Sequence, residues 1–291
     1  MVWQIGINPL TWTNDDLPSL GGDTPLETCL AEARLAGYAG IELGNKFPRD
    51  AAVLAPILAR HDLRLVSGWY SARLRERDAL REIAALAAHR DLLKAMGCPV
   101  VVFAETSGSV HGERATPLSR RPVMTDEEWP SFALRLAEVG RHLAEHGLKL
   151  AYHHHMGTVI ETEAEIDRLM GLTGPEVGLL LDTGHLTYAG GDPLALARRH
   201  AGRIVHVHCK DVRPDVLGRA WAADLPFLEA VLAGVFTVPG DGAVDYGGLL
   251  AILRDTGYAG WLVVEAEQDP AVAHPLTYAR LGHANLTRLM T

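Results

Sequence analysis

Cysteine is scarce in this chain: Cys29, Cys98 and Cys209 are the three in 291 residues. An odd number at wide spacing builds no disulfide framework, and no pair has the close spacing of a zinc knuckle. A reducing, cytoplasmic compartment is therefore expected. Basic residues are outnumbered, with Lys+Arg 27 against Asp+Glu 36 and a net charge of −9. That balance disfavours a bulk fit to nucleic acid. No apolar run approaches the ~18 residues of a membrane span, so no membrane partner is expected. The opening MVWQIGINPLTW has no basic stretch ahead of a long apolar core, so no secretory signal is expected. Linkers, charge blocks and repeats are missing, which predicts a single domain over residues 1–291. Three catalytic signatures are missing too. The first strand-to-helix turn reads NPLTWTNDD rather than GxGxxG, and neither GxxxxGK[ST] nor GxSxG occurs. Dinucleotide binding, P-loop phosphate chemistry and serine hydrolysis thus lack support. The GDG at 240–242 resembles a phosphate-binding turn, but one short glycine pair is a weak signal.

What is present is the profile of a globular protein, 48% hydrophobic and 22% charged. Short apolar runs alternate with longer helical stretches. Strands are expected at 2–8, 39–43, 63–67, 99–104, 149–154, 177–182, 203–208 and 261–265. Most are apolar on both faces, as parallel strands covered by helices should be. Helices are expected at 24–36, 75–96, 125–145, 162–169, 245–256 and 273–289. Thr24 with Glu27 and Thr125 with Glu128 have capping-box spacing, and Gly37 and Gly147 end their helices. Eight βα units in this length predict an α/β fold, a (β/α)8 TIM barrel. Long connections at 105–124 and 210–242 follow strand ends, where a barrel builds its active-site walls.

Histidine is abundant, with 14 residues, several in tight groups. The expected strands end in Glu42, in Glu105, in His153-His154-His155, in Asp182 with His185 close behind, in His206, His208 and Lys210, and in Glu265 and Glu267. Strand parity puts His153 with His155, His206 with His208, and Glu265 with Glu267 on shared faces. A lone histidine at a strand end is usually a hydrogen-bonded structural residue. Four successive strands ending in ionisable groups are different, because they converge on one mouth and are costly to bury unpaired. A divalent cation makes the set favourable. Mixed imidazole and carboxylate donors suit manganese, cobalt, zinc or iron more than calcium. Depth along the strands selects Asp182, His208 and Glu265 as ligands, with His153 preferred to His155 as the fourth. His155, His185, His206, Lys210 and Glu267 become supporting groups or substrate contacts. Asn8, Trp12, Glu42, Lys46 and Glu105 are further expected substrate contacts, with Trp12 or Trp69 able to floor a sugar-like ring. By parity His154 points outward, and His206 lies one layer deeper.

The strand-end series resembles the xylose-isomerase-like barrel superfamily of sugar epimerases, hydroxypyruvate isomerase and endonuclease IV. More narrowly, the opening GINPLTWTNDDLPSLGGDTPLETCLAEARLAGYAGIELGNKFPR and the strings YHHHMGTVIET, LLLDTGHLTYAGGDP, VHCKDVR and FTVPGDGAVDY are similar to the inosose dehydratases of myo-inositol catabolism. The resemblance places metal positions on Asp182, His208 and Glu265. Many relatives carry Glu where this chain has His153. The implied reaction is loss of water from 2-keto-myo-inositol (scyllo-inosose), through an enediolate, to a trihydroxycyclohexane-1,2-dione. The alternative is a metal-dependent sugar or cyclitol isomerase or epimerase. Glu265 or Glu267 is expected near the base role, and His185 or Lys210 as the acid. The resemblance also implies manganese or cobalt, glutathione as an added requirement, and a homo-oligomer acting on a small polyol ketone.

Overall fold

The computed structural model describes residues 3–291, so the start of the first expected strand, at Val2, lies outside the described residues. Eight parallel strands close into a barrel: β1 (Gln4–Ile7), β2 (Gly40–Leu43), β3 (Arg64–Ala72), β4 (Val100–Glu105), β5 (Lys149–His153), β6 (Val177–Asp182), β7 (Ile204–Cys209) and β10 (Trp261–Val264). Neighbours follow chain order, and β10 pairs with β1 to complete the ring. The expected TIM barrel is therefore the architecture. Two short strands, β8 (Asp211–Val212) and β9 (Phe236–Thr237), pair antiparallel outside it.

The outer layer contains α1 (Leu26–Ala36), α2 (Ala51–Arg60), α3 (Ala79–Ala95), α4 (Glu128–Glu145), α5 (Glu163–Leu172), α6 (Thr183–Tyr188), α7 (Pro193–Arg199), α10 (Tyr246–Asp255) and α11 (Pro275–Met290). Within the 210–242 connection lie α8 (Pro214–Ala222) and α9 (Phe227–Leu232). Caps explain most starts. Asp50, Asp78 and Asp245 each accept a first-turn amide. Thr162 and Glu165 form a full capping box on α5. The box expected at Thr24 does not form: α1 starts two residues later at Leu26, behind Pro25, with no side-chain cap. At α4 only the Glu128 half is made, its carboxylate accepting the Thr125 amide at 2.8 Å. Gly37 ends α1 at φ +105°, a conformation that excludes most side chains.

Three elements depart from the sequence expectation. β3 runs on through Gly68 to Ala72, because its second half pairs with β4 from Trp69↔Val102 to Ala72↔Glu105. This carries Trp69 up to the mouth. The helix α2 holds despite Pro56 in its interior, with Leu54 and Leu58 buried beneath it. The 210–242 connection is a small packed unit whose own core joins Phe227, Leu228, Val231 and Phe236 to Met156 and Tyr188. Inside the barrel, Gly40 leaves room for Val66; a Cβ there would sit 2.6 Å from Val66 Cγ2 and 2.9 Å from the Arg64 carbonyl. Val66, Val100, Val102, Leu180 and Val263 fill the lower barrel with apolar side chains, and the ionisable side chains gather towards the carboxyl ends of the strands. Among the described residues no helix is long and apolar enough to cross a membrane.

Candidate active site

His153, Asp182, His208 and Glu265 stand at the ends of β5, β6, β7 and β10, all buried, with one donor atom from each within 4.8 Å of the others. Backbone contacts set their aim. The His153 Nδ1–H donates to the His154 carbonyl at 2.6 Å, so Nε2 carries the lone pair, 3.7 Å from Asp182 Oδ2. Asp182 caps α6 by accepting the His185 amide on Oδ1 at 2.8 Å, which leaves Oδ2 facing the cluster. His208 Nδ1 lies 2.8 Å from Glu265 Oε2 and 3.4 Å from Asp182 Oδ2. Yet neither Asp182 Oδ2 nor His208 Nδ1 has an aligned hydrogen-bond partner, although both are buried. Orphaned buried polar atoms are costly and rare. Here both belong to a set of imidazole and carboxylate donors within 4.8 Å of one another, the mixed kind that suits a divalent cation.

Electrostatics separates the imidazoles. Burial holds His153 well below the ordinary histidine range, with His208 adding to the depression. His155 and His185 are likewise held neutral, first by burial and then by neighbouring cationic or imidazole groups. For His208, burial opposes the charge, but Glu265 and Glu42 outweigh it and lift its pKa well above that range. This side chain is placed to have positive charge at Nδ1, from a proton or a cation.

Glu42 lies beneath the cluster. Its Oε1 accepts from His206 Nε2 at 2.9 Å, His208 Nε2 at 3.2 Å and Ser67 Oγ, while Oε2 accepts from Asn8 Nδ2 at 2.7 Å. Asn8 also reaches Glu265 Oε2 at 3.0 Å. On the far side, the buried Lys210 ammonium bridges Glu265 Oε1 at 2.6 Å and Glu267 Oε2 at 3.0 Å, with His185 Nε2 also at 3.0 Å. Burial works against its charge, but Glu265 and Glu267 raise its pKa and keep it protonated. Burial pushes the Glu267 carboxyl upward even against Lys210.

Above these groups opens a cavity of about 590 Å³, counted to its open mouth, where Trp69 and His155 face Glu267 and the two loop carboxylates Asp15 and Asp16. The His155 Nδ1–H donates to the Met156 carbonyl at 2.8 Å, so Nε2 carries its lone pair. Of the expected contacts, Asn8, Glu42 and His155 line this cavity; His185 and Lys210 stand behind Glu267. Trp12, Lys46 and Glu105 are engaged elsewhere. The Trp12 Nε1–H donates to the half-buried Glu32 at 2.6 Å, Lys46 ties down the carbonyls of Gly21, Gly22 and Thr24, and Glu105 accepts the amides of Leu74 and Ser107. The outward-pointing His154 accepts the Asp182 amide on Nε2 at 3.2 Å. The GDG turn holds an internal anion: the Asp211 carboxylate accepts the amides of Gly240 and Gly242 at 3.0 and 3.2 Å, where a phosphate would bind.

Asp15 and Asp16 were not anticipated. Asn14 places them by accepting the amides of Asp16 and Leu17 at 2.9 and 2.7 Å while donating to Glu267. The NDD run directly after the first strand's turn was the available signal. His111, from the loop after β4, sits 3.6 Å from Asp16 and packs beside Trp69 and His155.

A family model described as a xylose isomerase-like TIM barrel matches residues 30–289. The rhizopine catabolism protein MocC of Rhizobium meliloti is 57% identical over 98% of this chain and 88% of its own length. An inosose dehydratase of Geobacillus thermodenitrificans is 48% identical over 95% of this chain and 93% of its own. Among solved structures, the probable 3-DHS dehydratase AsbF from Bacillus anthracis matches with a TM-score of 0.71 at 15% identity, covering 98% of both chains. A zinc-bound IOLI protein matches with a TM-score of 0.68 at 18% identity, covering 98% of this chain and 96% of that one. The last two speak for the fold alone. With the barrel, the mouth full of His, Asp and Glu, and these likenesses in place, the chain belongs to the xylose isomerase-like TIM barrel family.

Proposed function

We propose that this chain is an inosose dehydratase, removing water from 2-keto-myo-inositol (scyllo-inosose) to give a trihydroxycyclohexane-1,2-dione. The observation that carries the reading is the buried set His153, Asp182, His208 and Glu265, with two donor atoms that lack an aligned hydrogen bond, in a chain 45–48% identical to inosose dehydratases. Those four residues hold a divalent cation, manganese or cobalt first, with zinc or iron suited to the same donors. Bound there, the cation supplies a Lewis acid next to the substrate's ketone and neighbouring hydroxyl.

The chain's own groups do the rest. His155, neutral with its Nε2 lone pair free, takes the proton on the carbon next to the ketone. Glu267, which burial biases towards its protonated form, gives a proton to the departing β-hydroxyl, so the bond lost is C–O and the product is water plus an enol that relaxes to the dione. The Lys210 ammonium fixes both Glu265 and Glu267 and so positions them rather than titrating. Trp69 forms the apolar wall for the ring, and Asp15 and Asp16 accept its distal hydroxyls. Among the described residues lining the cavity there is no lysine or arginine, which favours an uncharged polyol over a sugar phosphate or an acid. The whole chain acts as one catalytic domain, in the cytoplasm and as a homo-oligomer.

Mass spectrometry of the products tests this against isomerisation on the same scaffold. Scyllo-inosose should lose one water. A product of unchanged mass, with solvent deuterium at the α-carbon, would make the chain an isomerase or epimerase instead. Repeating the assay with and without glutathione tests the thiol requirement.

A further inference from the structure

The two histidines of the cluster present different ring nitrogens, and the partner of each second nitrogen explains why. On His153 a backbone carbonyl takes Nδ1–H. On His208 the second partner is a side chain from the opposite part of the ring of strands, Glu42 of β2. We propose that Glu42 is the positioning residue of the metal centre: by accepting the His208 Nε2–H it fixes the tautomer that turns Nδ1 towards the cation. The cation then meets His208 through Nδ1 and His153 through Nε2. This rests on the metal reading above and adds the assignment of donor atoms and of the residue that sets them.

Three observations carry it. First, Glu42 is saturated and buried, since His206, His208 and Ser67 use Oε1 and Asn8 uses Oε2. Although it lines the cavity floor, it has little capacity left for a substrate hydroxyl. Second, the two nitrogens of His208 face different carboxylates, Nε2 the orienting Glu42 at 3.2 Å and Nδ1 the cluster's Glu265 at 2.8 Å. A carboxylate accepts and never donates, so the hydrogen facing Glu42 stays on Nε2, and a cation held beside Asp182 and Glu265 takes the place of the one on Nδ1. Third, Asn8 bonds Glu42 and Glu265 together, which ties the orienting carboxylate to a ligand carboxylate on the other side of His208. A ligand histidine whose second nitrogen donates to a carboxylate has its orientation and basicity set there.

Glu42→Gln removes the acceptor-only character. An amide can present N–H to His208 Nε2, and the ring then places its hydrogen on Nδ1, where the cation should sit. Glu42→Asp keeps the charge but draws it back by one methylene. The experiment titrates EDTA-stripped wild-type, E42Q and E42D proteins with cobalt, following visible absorbance against a competing chelator. Alongside it, a long-range nitrogen–proton spectrum is recorded of zinc-loaded wild type carrying ¹⁵N-histidine. The expected results are a cobalt affinity about 10–100-fold lower in both variants, an altered cobalt band in E42Q, and a wild-type His208 with hydrogen on Nε2 and metal on Nδ1. Equal affinity in wild type and both variants overturns the assignment, as does a wild-type His208 bound through Nε2. If E42Q fails to fold, E42D and the wild-type nitrogen spectrum decide the matter. A wild-type chain that takes up no cobalt overturns the metal centre itself, a different and larger failure.

Discussion

His153 and His155, at and just beyond the end of β5, and His208 of β7 are the same residue at the same end of the same barrel, yet they are placed for opposite charge states. His153 and His155 stand among other imidazoles and the edge of Trp69, with backbone carbonyls taking one N–H from each. Burial there has no counter-charge strong enough to oppose it, and both rings stay neutral. His208 is just as buried, but carboxylates approach it from three strands: Glu42, Asp182 and Glu265. Burial alone therefore does not set the charge of a histidine. The number of carboxylates within reach does, and β7 is where this barrel concentrates them.

Breaking that asymmetry should have graded effects. The largest comes from His208→Ala, which takes the cation's anchor out of the carboxylate ring. Metal analysis should find the variant empty, and kcat/KM should fall by about 10³-fold or more, the several kcal/mol a Lewis acid contributes. His153→Glu sharpens the contrast, because a carboxylate there can still serve as a donor; it should retain stoichiometric cobalt. Next comes Glu267→Gln, which leaves the four ligands in place. Its kcat should drop by ~10²–10⁴-fold with bound metal unchanged; loss of metal along with rate would instead make Glu267 part of the metal centre. Trp69→Ala should act mainly on KM, raising it about 3–10-fold, the 0.5–1.5 kcal/mol of an aromatic wall.

The smallest effect concerns stability on the β5 side. Glu161 accepts the Gly157 amide at 2.7 Å and faces Arg121 at 3.4 Å, but burial wins and lifts its pKa from 4.5 to about 7. The folded chain then holds this proton more tightly than the unfolded one. Its stabilising contribution is full below the unfolded pKa of 4.5 and is lost as pH rises through about 7. The thermal unfolding temperature of the wild type should therefore fall as pH rises across that window, and Glu161→Gln should flatten the slope.

Much of this was legible in the sequence because parallel strands leave a plain trace. Runs apolar on both faces located all eight barrel strands, and depth selected Asp182, His208 and Glu265, with His153 as the preferred fourth, four residues with donor atoms within 4.8 Å of one another. What escaped lies where side chains rather than periodicity set the backbone. Asp15 and Asp16 reach the cavity because Asn14 folds the loop, a bond with no repeating pattern to read. Two-residue strands such as β8 and β9 are too short for an alternation, so their packing against Met156 and Tyr188 was hidden. Gly68 and Pro56 are local breakers overruled by pairing with β4 and by the burial of Leu54 and Leu58. Trp12 and Lys46 follow strand ends in sequence, but a ring at Glu32 and an ammonium on loop carbonyls satisfy them away from the mouth.

The most direct test of the account is add-back of metal to EDTA-stripped protein in the presence of scyllo-inosose, read as product mass. The stripped chain should give no reaction and, on addition of manganese or cobalt, should form a product lighter by one water. Water loss at the full rate without any added cation, in protein that metal analysis shows to be empty, would contradict it.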